Sequence, residues 1–547
     1  MHRHRTGAVL SACRSVIVAA ACMLALGCGR IDTAVGIQEL DSNEGGPDSG
    51  VVPWPVPDDA GPPPVACPPG LLCNVMCGDA GTATTITGTV YDPAGKNPMY
   101  NAAVYVPAMP LQPLPKGVPT GADACSCHAL FKSGAVAATS TAVDGTFTLT
   151  NVPVGNVPLV LQIGKWRRAI KVRTTACQAN AQPDKSLTLP GTLKGAGPDD
   201  NVPDIAVSTG QGDTLECLMT RIGVPPAEYV AGGGTTGHVH IFSGGAQVGA
   251  GGGGVPVAVG KPVAVPMPGA PSSSTALWMT QAQLMPYDVT LLSCEGGETY
   301  NANPQALEAY LNAGGRAFGS HFQYSYFGGP LGTGGRQSYK APPDWGSNLA
   351  TWAIDTPNGL RDTGLVGGTI VTTLNGTTTQ FAKGTALQQW LMGVGALGTD
   401  GVPAGEVAIY QPRYNAVVLP ANTPSQAWIT NDPALTDGGV EGGARDGGEG
   451  GSTDETMYFS FDTPVGATGG PAAPQFCGRV VFSDLHVTGN PLTKDITNVA
   501  PGGKPPPAGC DATADLSPQE KVLEFMLFDL SSCVISDTVA PPYPPIF

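Results

Sequence analysis

Three stretches of this sequence carry residue types able to do chemistry: Cys294, Glu295 and Glu298 in LLSCEGGE, His321 in FGSHF, and His486 in FSDLHV. Cysteine beside histidine and carboxylate is the set from which an activated thiol is built, because a neighbouring imidazole can take the thiol proton. The same set ligates zinc, which accepts thiolate, imidazole and carboxylate alike. These residues are far apart in sequence, so only a fold that gathers strand ends can unite them. No G-x-S-x-G, H-E-x-x-H or phosphate loop offers a competing centre.

The elements that must position them are legible. Tyr287 to Ser293 is a short apolar run suited to a buried parallel strand. Asn303 is placed to cap a helix with Pro304 at its first position. Leu307, Tyr310 and Leu311 recur at helical spacing, and Gly314-Gly315 ends the helix. Arg316 to Ser320 then re-enters the sheet. A right-handed crossover makes the two strands parallel and brings Cys294, Glu295 and Glu298 to the sheet edge that Ser320 and His321 share. The run 477 to 487, CGRVVFSDLHV, is the clearest late strand, with His486 at its end.

The segment from YDV through the helix and its NAGG turn to Gly319-Ser320-His321 resembles the class I glutamine amidotransferase-like superfamily, its trehalose-utilisation (ThuA-like) branch in particular. The likeness covers roughly residues 200 to 533. It implies an α/β flavodoxin-like domain with β insertions. CGRVVFSDLHV is similar to a late strand of that branch, which implies that His486 lies near the family's own histidine. True amidotransferases carry a nucleophilic cysteine at the elbow where this chain has His321. The resemblance therefore implies the fold without glutamine hydrolysis, and it places Ser293-Cys294 at the family's glycine-rich loop.

Aromatic residues crowd the same edge: Phe318, Phe322, Tyr324, Tyr326 and Phe327, with Trp345 and Trp352 downstream. Phe318 and Phe322 read as core, while Tyr324 and Tyr326 are candidate stacking surfaces for sugar rings. His238 and His240, two apart on the strand GHVHIFSGG, share a face and form a further candidate metal pair. The glycine loop after them lacks the Lys-Ser/Thr of a phosphate loop.

Upstream, TITGTVYD, NAAVYVP, DGTFTLTNVPVG, NVPLVLQIG and KWRRAIKV alternate as strands do, with Gly, Pro and Asn between them. Residues 67 to 180 thus read as a small all-β sandwich. The order G-T-V-Y-D-P-x-G, A-x-V, D-G-T-F-x-L-x-N-V-P-x-G resembles carboxypeptidase regulatory-like domains, which are accessory modules. An insertion from Pro107 to Val136 departs from that pattern and carries Cys125-Ser126-Cys127-His128. The chain is therefore expected to be multidomain, a β-sandwich followed by an α/β domain over 200 to 547.

Within the α/β domain, Leu215, Leu218, Met219 and Ile222 are spaced for one helix. Leu387, Trp390, Leu391 and Val394 are spaced for a second. Ser517-Pro518-Gln519-Glu520 is a capping box opening the last. Residues 431 to 455 interrupt the late strands as an acidic, glycine-rich loop.

The first residues form an export signal. A basic start precedes an apolar core, residues 15 to 27, and Cys28 follows Leu24-Ala25-Leu26-Gly27. This resembles a bacterial lipoprotein signal with Cys28 acylated, although Ala25 stands where leucine is usual. Acyl chains, at about 0.8 kcal/mol per buried methylene, would hold the protein on a membrane surface. Residues 28 to 66 are rich in Pro, Gly and acidic residues and cannot build a core, so they read as a disordered tether. The cell envelope, at the outer membrane or cell surface, is thus the expected location.

Charge narrows the partners. With 27 basic and 43 acidic residues the net charge is -16, which repels nucleic acid. Two readings of function stand: a membrane-anchored lipoprotein that binds a ligand, carbohydrate among the candidates, without catalysis and without a cofactor; or a hydrolase or metal-dependent enzyme, zinc being the metal, built on Cys294, His321 and His486.

Cysteine arithmetic adds one expectation. Setting aside Cys13, Cys22 and Cys28 leaves 11, and behind an export signal disulfides are expected. If each half closes its own bridges, Cys510 pairs with Cys533 and Cys217 with Cys477. Cys294 then remains a thiol.

Overall fold

The computed structural model describes residues 67–78, 83–210, 212–244, 267–295, 303–328, 341–352, 365–431, 455–467, 476–488, 506–534 and 537. Residues 1–66, where the export signal, Cys28 and the tether are expected, Glu298 and residues 432–454 lie outside them. The described residues fall within one compact unit, Pro62–Phe547.

Two four-stranded sheets form the first part. Strands Ala135–Ser140, Ala103–Pro107, Gly155–Ile163 and Trp166–Thr174 lie side by side in that order, all antiparallel. The other sheet is organised on Thr85–Tyr91, which pairs antiparallel with Thr146–Leu149 and parallel with Ala179–Ala181 and Leu187–Thr188. Alternation fixes which side chains turn inward: Thr146–Leu149 reads exposed, buried, exposed, buried. Phe147 and Leu149 so meet Ile86, Val104, Val157 and Leu159 in one apolar cluster. Leu187–Thr188 extends this sheet into residues whose polar composition reads as a link.

The second part is a ten-stranded mixed sheet. Its order is Tyr229–Ala231, Val239–Phe242, Ile205–Ser208, Val289–Leu292, Arg316–Ser320, Gly478–Ser483, Glu455–Thr463, Ser425–Asn431, Leu365–Ile370, Val407–Tyr410. The first six are mutually parallel, and each later neighbour is antiparallel. Ile205–Ser208 and Val289–Leu292 are buried along their whole length, as strands covered on both faces must be. From Ile205–Ser208 the chain moves outward to one side, and from Val289–Leu292 it moves to the other. Their carboxyl ends flank the switch point where open α/β sheets receive ligands.

The expected helices form. Pro304–Asn312 has Asn303 as its cap, the side chain accepting from the Ala306 amide, and Gly314 at φ +118° ends it where a side chain would be strained. Pro518–Ser531 carries both bonds of the Ser517/Glu520 capping box. Leu215–Arg221 and Ala382–Gly393 occupy the other two predicted stretches.

The last helix joins the two parts. Phe525 stacks on Tyr100 at 5.7 Å between centroids, and Phe528 meets Trp166 at 5.6 Å. Trp390 Nε1 donates to the Pro98 carbonyl at 2.7 Å. Residues of both parts share one apolar cluster, so the β part is a fixed wall of the α/β domain.

The disulfides correct the expected pairing. Cys217 joins Cys510, Cys125 joins Cys477, and Cys127 joins Cys533; Cys67–Cys73 and Cys77–Cys177 close within the β part. Neither Cys510–Cys533 nor Cys217–Cys477 exists. Sequence proximity favoured the first pair, but the intervening helix is rigid and turns its end toward the 107–136 insertion. Cys125 and Cys127 thus staple that insertion to the α/β domain, each bond constraining the unfolded chain by roughly 2–4 kcal/mol. Cys294 keeps its thiol and is buried. The five disulfides among the described residues fit an oxidising compartment. Among the described residues no helix is long and apolar enough to cross a membrane.

Candidate functional site

Strand register gathers the chemistry. Leu292 pairs with Gly319 and Ser320 with Ser483, so three parallel strands end nearly level. Cys294, His321 and His486 lie just beyond those ends. Cys294 Sγ is 3.2 Å from His321 Nδ1, and His321 Nδ1 is 2.9 Å from His486 Nε2. One atom from each residue lies within 4.8 Å of the other two.

The centre is buried: Cys294 is 0%, His321 1% and His486 4% exposed. Burial first, and the Arg413 guanidinium second, hold both imidazoles well below their ordinary range, with His321 adding to the effect at His486. Neutral imidazole is the form that ligates a metal. Zinc at its usual bond lengths sets tetrahedral donors about 3.4 Å apart for two nitrogens and about 3.6 Å for sulfur and nitrogen. The Cys294–His321 and His321–His486 contacts are shorter than those spacings by about half an ångström or less. Three protein donors leave a fourth position open, the pattern of catalytic zinc.

His486 Nδ1 has two neighbours of opposite demand. Gln411 Oε1, at 3.0 Å, can only accept a hydrogen bond from it, whereas Arg413 Nη2, at 3.3 Å, can only donate one to it. With the proton on Nδ1 and hydrogen-bonded to Gln411, Nε2 presents its lone pair to the centre. An imidazole oriented through its second nitrogen by an amide oxygen is the usual support of a metal ligand.

Backbone conformation is unusual here. His321 has φ +44° and Gln411 φ +54°, left-handed conformations that cost non-glycine residues of order 1–2 kcal/mol. The surroundings hold them. Gln519 Nε2 donates to the carbonyls of His486 and Val487 at 2.8 and 2.7 Å, while its Oε1 accepts the Tyr410 amide at 2.7 Å. Asp213 Oδ1 accepts from the Thr488 amide at 3.0 Å and its hydroxyl at 3.1 Å.

Gly212 completes the wall. Its amide donates to the Cys294 carbonyl at 2.9 Å, and a Cβ there would lie 2.8 Å from Cys294 Sγ and 3.0 Å from His486 Nε2. Only glycine leaves the donors their space.

Other sequence candidates fare differently. Glu295 is buried beside Cys294, where its carboxylate accepts the Ser208 hydroxyl at 3.4 Å, and it stands outside the three-residue group. Tyr324 and Tyr326, expected as exposed stacking surfaces, are both 0% exposed. They face inward because a short helix, Tyr324–Phe327, follows directly on the turn at His321 and packs its rings under the sheet edge: Tyr326 meets Trp278, and Tyr324 meets Trp352. Phe318 is core as expected, whereas Phe322 is half-buried. His238 Nδ1 pairs with Glu228 at 2.6 Å, while His240 bonds the Gly237 carbonyl at 3.1 Å and the Tyr287 hydroxyl at 3.3 Å. Each histidine has its own structural partner.

Gly212, Asp213, Gln411 and Arg413 escaped the sequence reading. Gly212 and Asp213 had a signal available, since they follow the strand flanking the switch point. Gln411 and Arg413 come from the antiparallel portion, and no local pattern marks them. Comparisons with family models, with curated proteins and with solved structures found no match to this chain.

Proposed function

We propose that this chain is an exported, lipid-anchored protein whose α/β domain works through a divalent transition metal, zinc, held by Cys294, His321 and His486. The convergence of these three donors at the carboxyl edge of the parallel strands carries the reading. Zinc with one open position lowers the pKa of bound water toward 7, so the chemistry offered is metal-assisted hydrolysis. A simple thiol–imidazole nucleophile shares the 3.2 Å contact between Cys294 and His321. Imidazoles held well below their ordinary range disfavour it, because the proton taken from the thiol would have to rest on one of them.

The reading keeps the class I glutamine amidotransferase-like resemblance as its fold hypothesis, supported by the parallel strands and the switch point. A carboxypeptidase regulatory-like sandwich stands before it. With His321 at the nucleophile's place, glutamine is not the substrate. The carbohydrate-binding version retains no platform from Tyr324 and Tyr326.

Metal analysis tests the proposal. The purified protein should carry close to one zinc per chain, and Cys294→Ser, His321→Ala and His486→Ala should each lose it while keeping the wild-type circular dichroism. Cobalt(II) in its place should show a thiolate charge-transfer band that Cys294→Ser lacks. Metal-free protein that gains neither zinc nor the band on addition would overturn it. The anchor is tested separately: a fatty-acid analogue should label the wild type and spare Cys28→Ala, and equal labelling would end that part.

A further inference from the structure

At the opposite, amino edge of the parallel strands lies a cavity of about 80 Å³, between the β part and the α/β domain. The Cys125–Cys477 and Cys127–Cys533 bonds stand in its wall, and among the described residues its charged ones are Lys165, Asp288 and Arg316. Lys165 is satisfied there, since its ammonium pairs with Asp288 and donates to the Gly117 carbonyl. Arg316 is not satisfied in the same way. Among the described residues no carboxylate lies within ion-pair distance of it.

We propose that this cavity receives a small oxyanion, of the phosphate, sulfate or short carboxylate class, recognised by Arg316. The guanidinium is already oriented: Nη1 donates to the carbonyls of Gly314, Gly315 and Cys477 at 2.5, 3.2 and 2.6 Å. That fixes its plane and leaves the Nε–Nη2 edge. Nε is buried with no acceptor, and Nη2 donates to no described residue. A single charged donor would suffice to cap the three carbonyls. A guanidinium oriented through Nη1 leaves Nη2 to donate to an oxyanion at the wall, while Nε, closed to water, takes no part.

The local charge agrees. Among the described residues lining the cavity, Lys165 and Asp288 cancel and Arg316 leaves one net positive charge, in a protein whose net charge is -16. General attraction of anions is therefore excluded, and affinity must come from this site. The carboxyl end of Pro518–Ser531 reaches the same wall and opposes an anion with about half a charge. A full guanidinium charge outweighs it.

Calorimetric titration of the purified, disulfide-intact protein with inorganic phosphate, sulfate and acetate tests this, the arms distinguishing tetrahedral from planar anions. One saturable site is expected for at least one of them. Arg316→Lys should weaken it tenfold or more. Ser126→Asp, which adds a negative charge to the wall and leaves the guanidinium in place, should do the same, so a folding defect at Arg316 cannot mislead. His486→Ala should leave it unchanged, which separates this site from the metal centre. Absence of saturable binding for all three anions, or binding indifferent to Arg316→Lys and Ser126→Asp, would overturn the proposal.

Discussion

Asp213 Oδ2 accepts the Ser320 hydroxyl at 2.6 Å across 107 residues, and Ser320 Oγ in turn accepts the Cys294 amide at 3.0 Å. One carboxylate thereby ties the loop after Ile205–Ser208 to the ends of the next two strands, holding the peptide that carries Cys294.

Burial pushes Asp213 up to about 6, against the hydrogen bonds from Ser320 and Thr488. Its folded pKa exceeds the ordinary value of 3.8, so the native state holds the extra proton in that window. Stability from this group is complete below about pH 4 and declines as pH rises to about 6. Asp213→Asn should flatten that slope in urea unfolding, and should cost about 1–3 kcal/mol by leaving the Ser320 hydroxyl without its acceptor. An unchanged pH profile would count against this account.

Gly212→Ala should lower the zinc content markedly, at a stability cost of about 1–3 kcal/mol for a methyl forced into the buried wall. The added methyl lies within 3.0 Å of Cys294 Sγ and His486 Nε2, and the Gly212 backbone does not need a left-handed φ. Full zinc occupancy in this variant would show that the donors do not meet a metal there.

Glu524 on the last helix and Asp92 in the β part form a buried acidic pair, with Asn97 Nδ2 donating to Glu524 Oε2 at 2.6 Å. Burial, then repulsion by Asp92, hold Glu524 well above its ordinary 4.5. The sign is that of a raised acid: its stability contribution is complete below about pH 4.5 and is lost as pH climbs toward the folded pKa. The loss is about 1.4 kcal/mol per pH unit inside the window. Glu524→Gln keeps an acceptor for Asn97 and carries no charge. It should unfold at higher urea than wild type at alkaline pH, and parallel curves would refute the assignment.

Peptide mapping of the non-reduced protein, alkylated after denaturation, should recover Cys125–Cys477, Cys127–Cys533 and Cys217–Cys510, with Cys294 alkylated. In the native state Cys294 should resist the reagent, being 0% exposed. A peptide linking Cys510 to Cys533 would contradict the stapled insertion.

Local sequence determined the elements. Asn303, Pro304 and Gly314 define a helix through backbone groups they satisfy or conformations they permit, and the Ser517/Glu520 box does the same, whatever lies around them. The apolar run before Cys294 and the strand ending at Ser320 were legible for the same reason. Because parallel strands share an end, so was the meeting of Cys294 with His321. Tertiary structure alone decided the rest. Tyr324 and Tyr326 are buried because a turn at His321 aims their helix inward, and aromatic composition cannot report direction. Gln411 and Arg413 reach His486 only through the antiparallel extension of the sheet. Disulfide partners were set by which ends the packed helix and insertion bring within reach, Cys127 and Cys533 being 5.5 Å apart at Cα across 406 residues. Sequence separation carries no information on such a distance once rigid elements intervene.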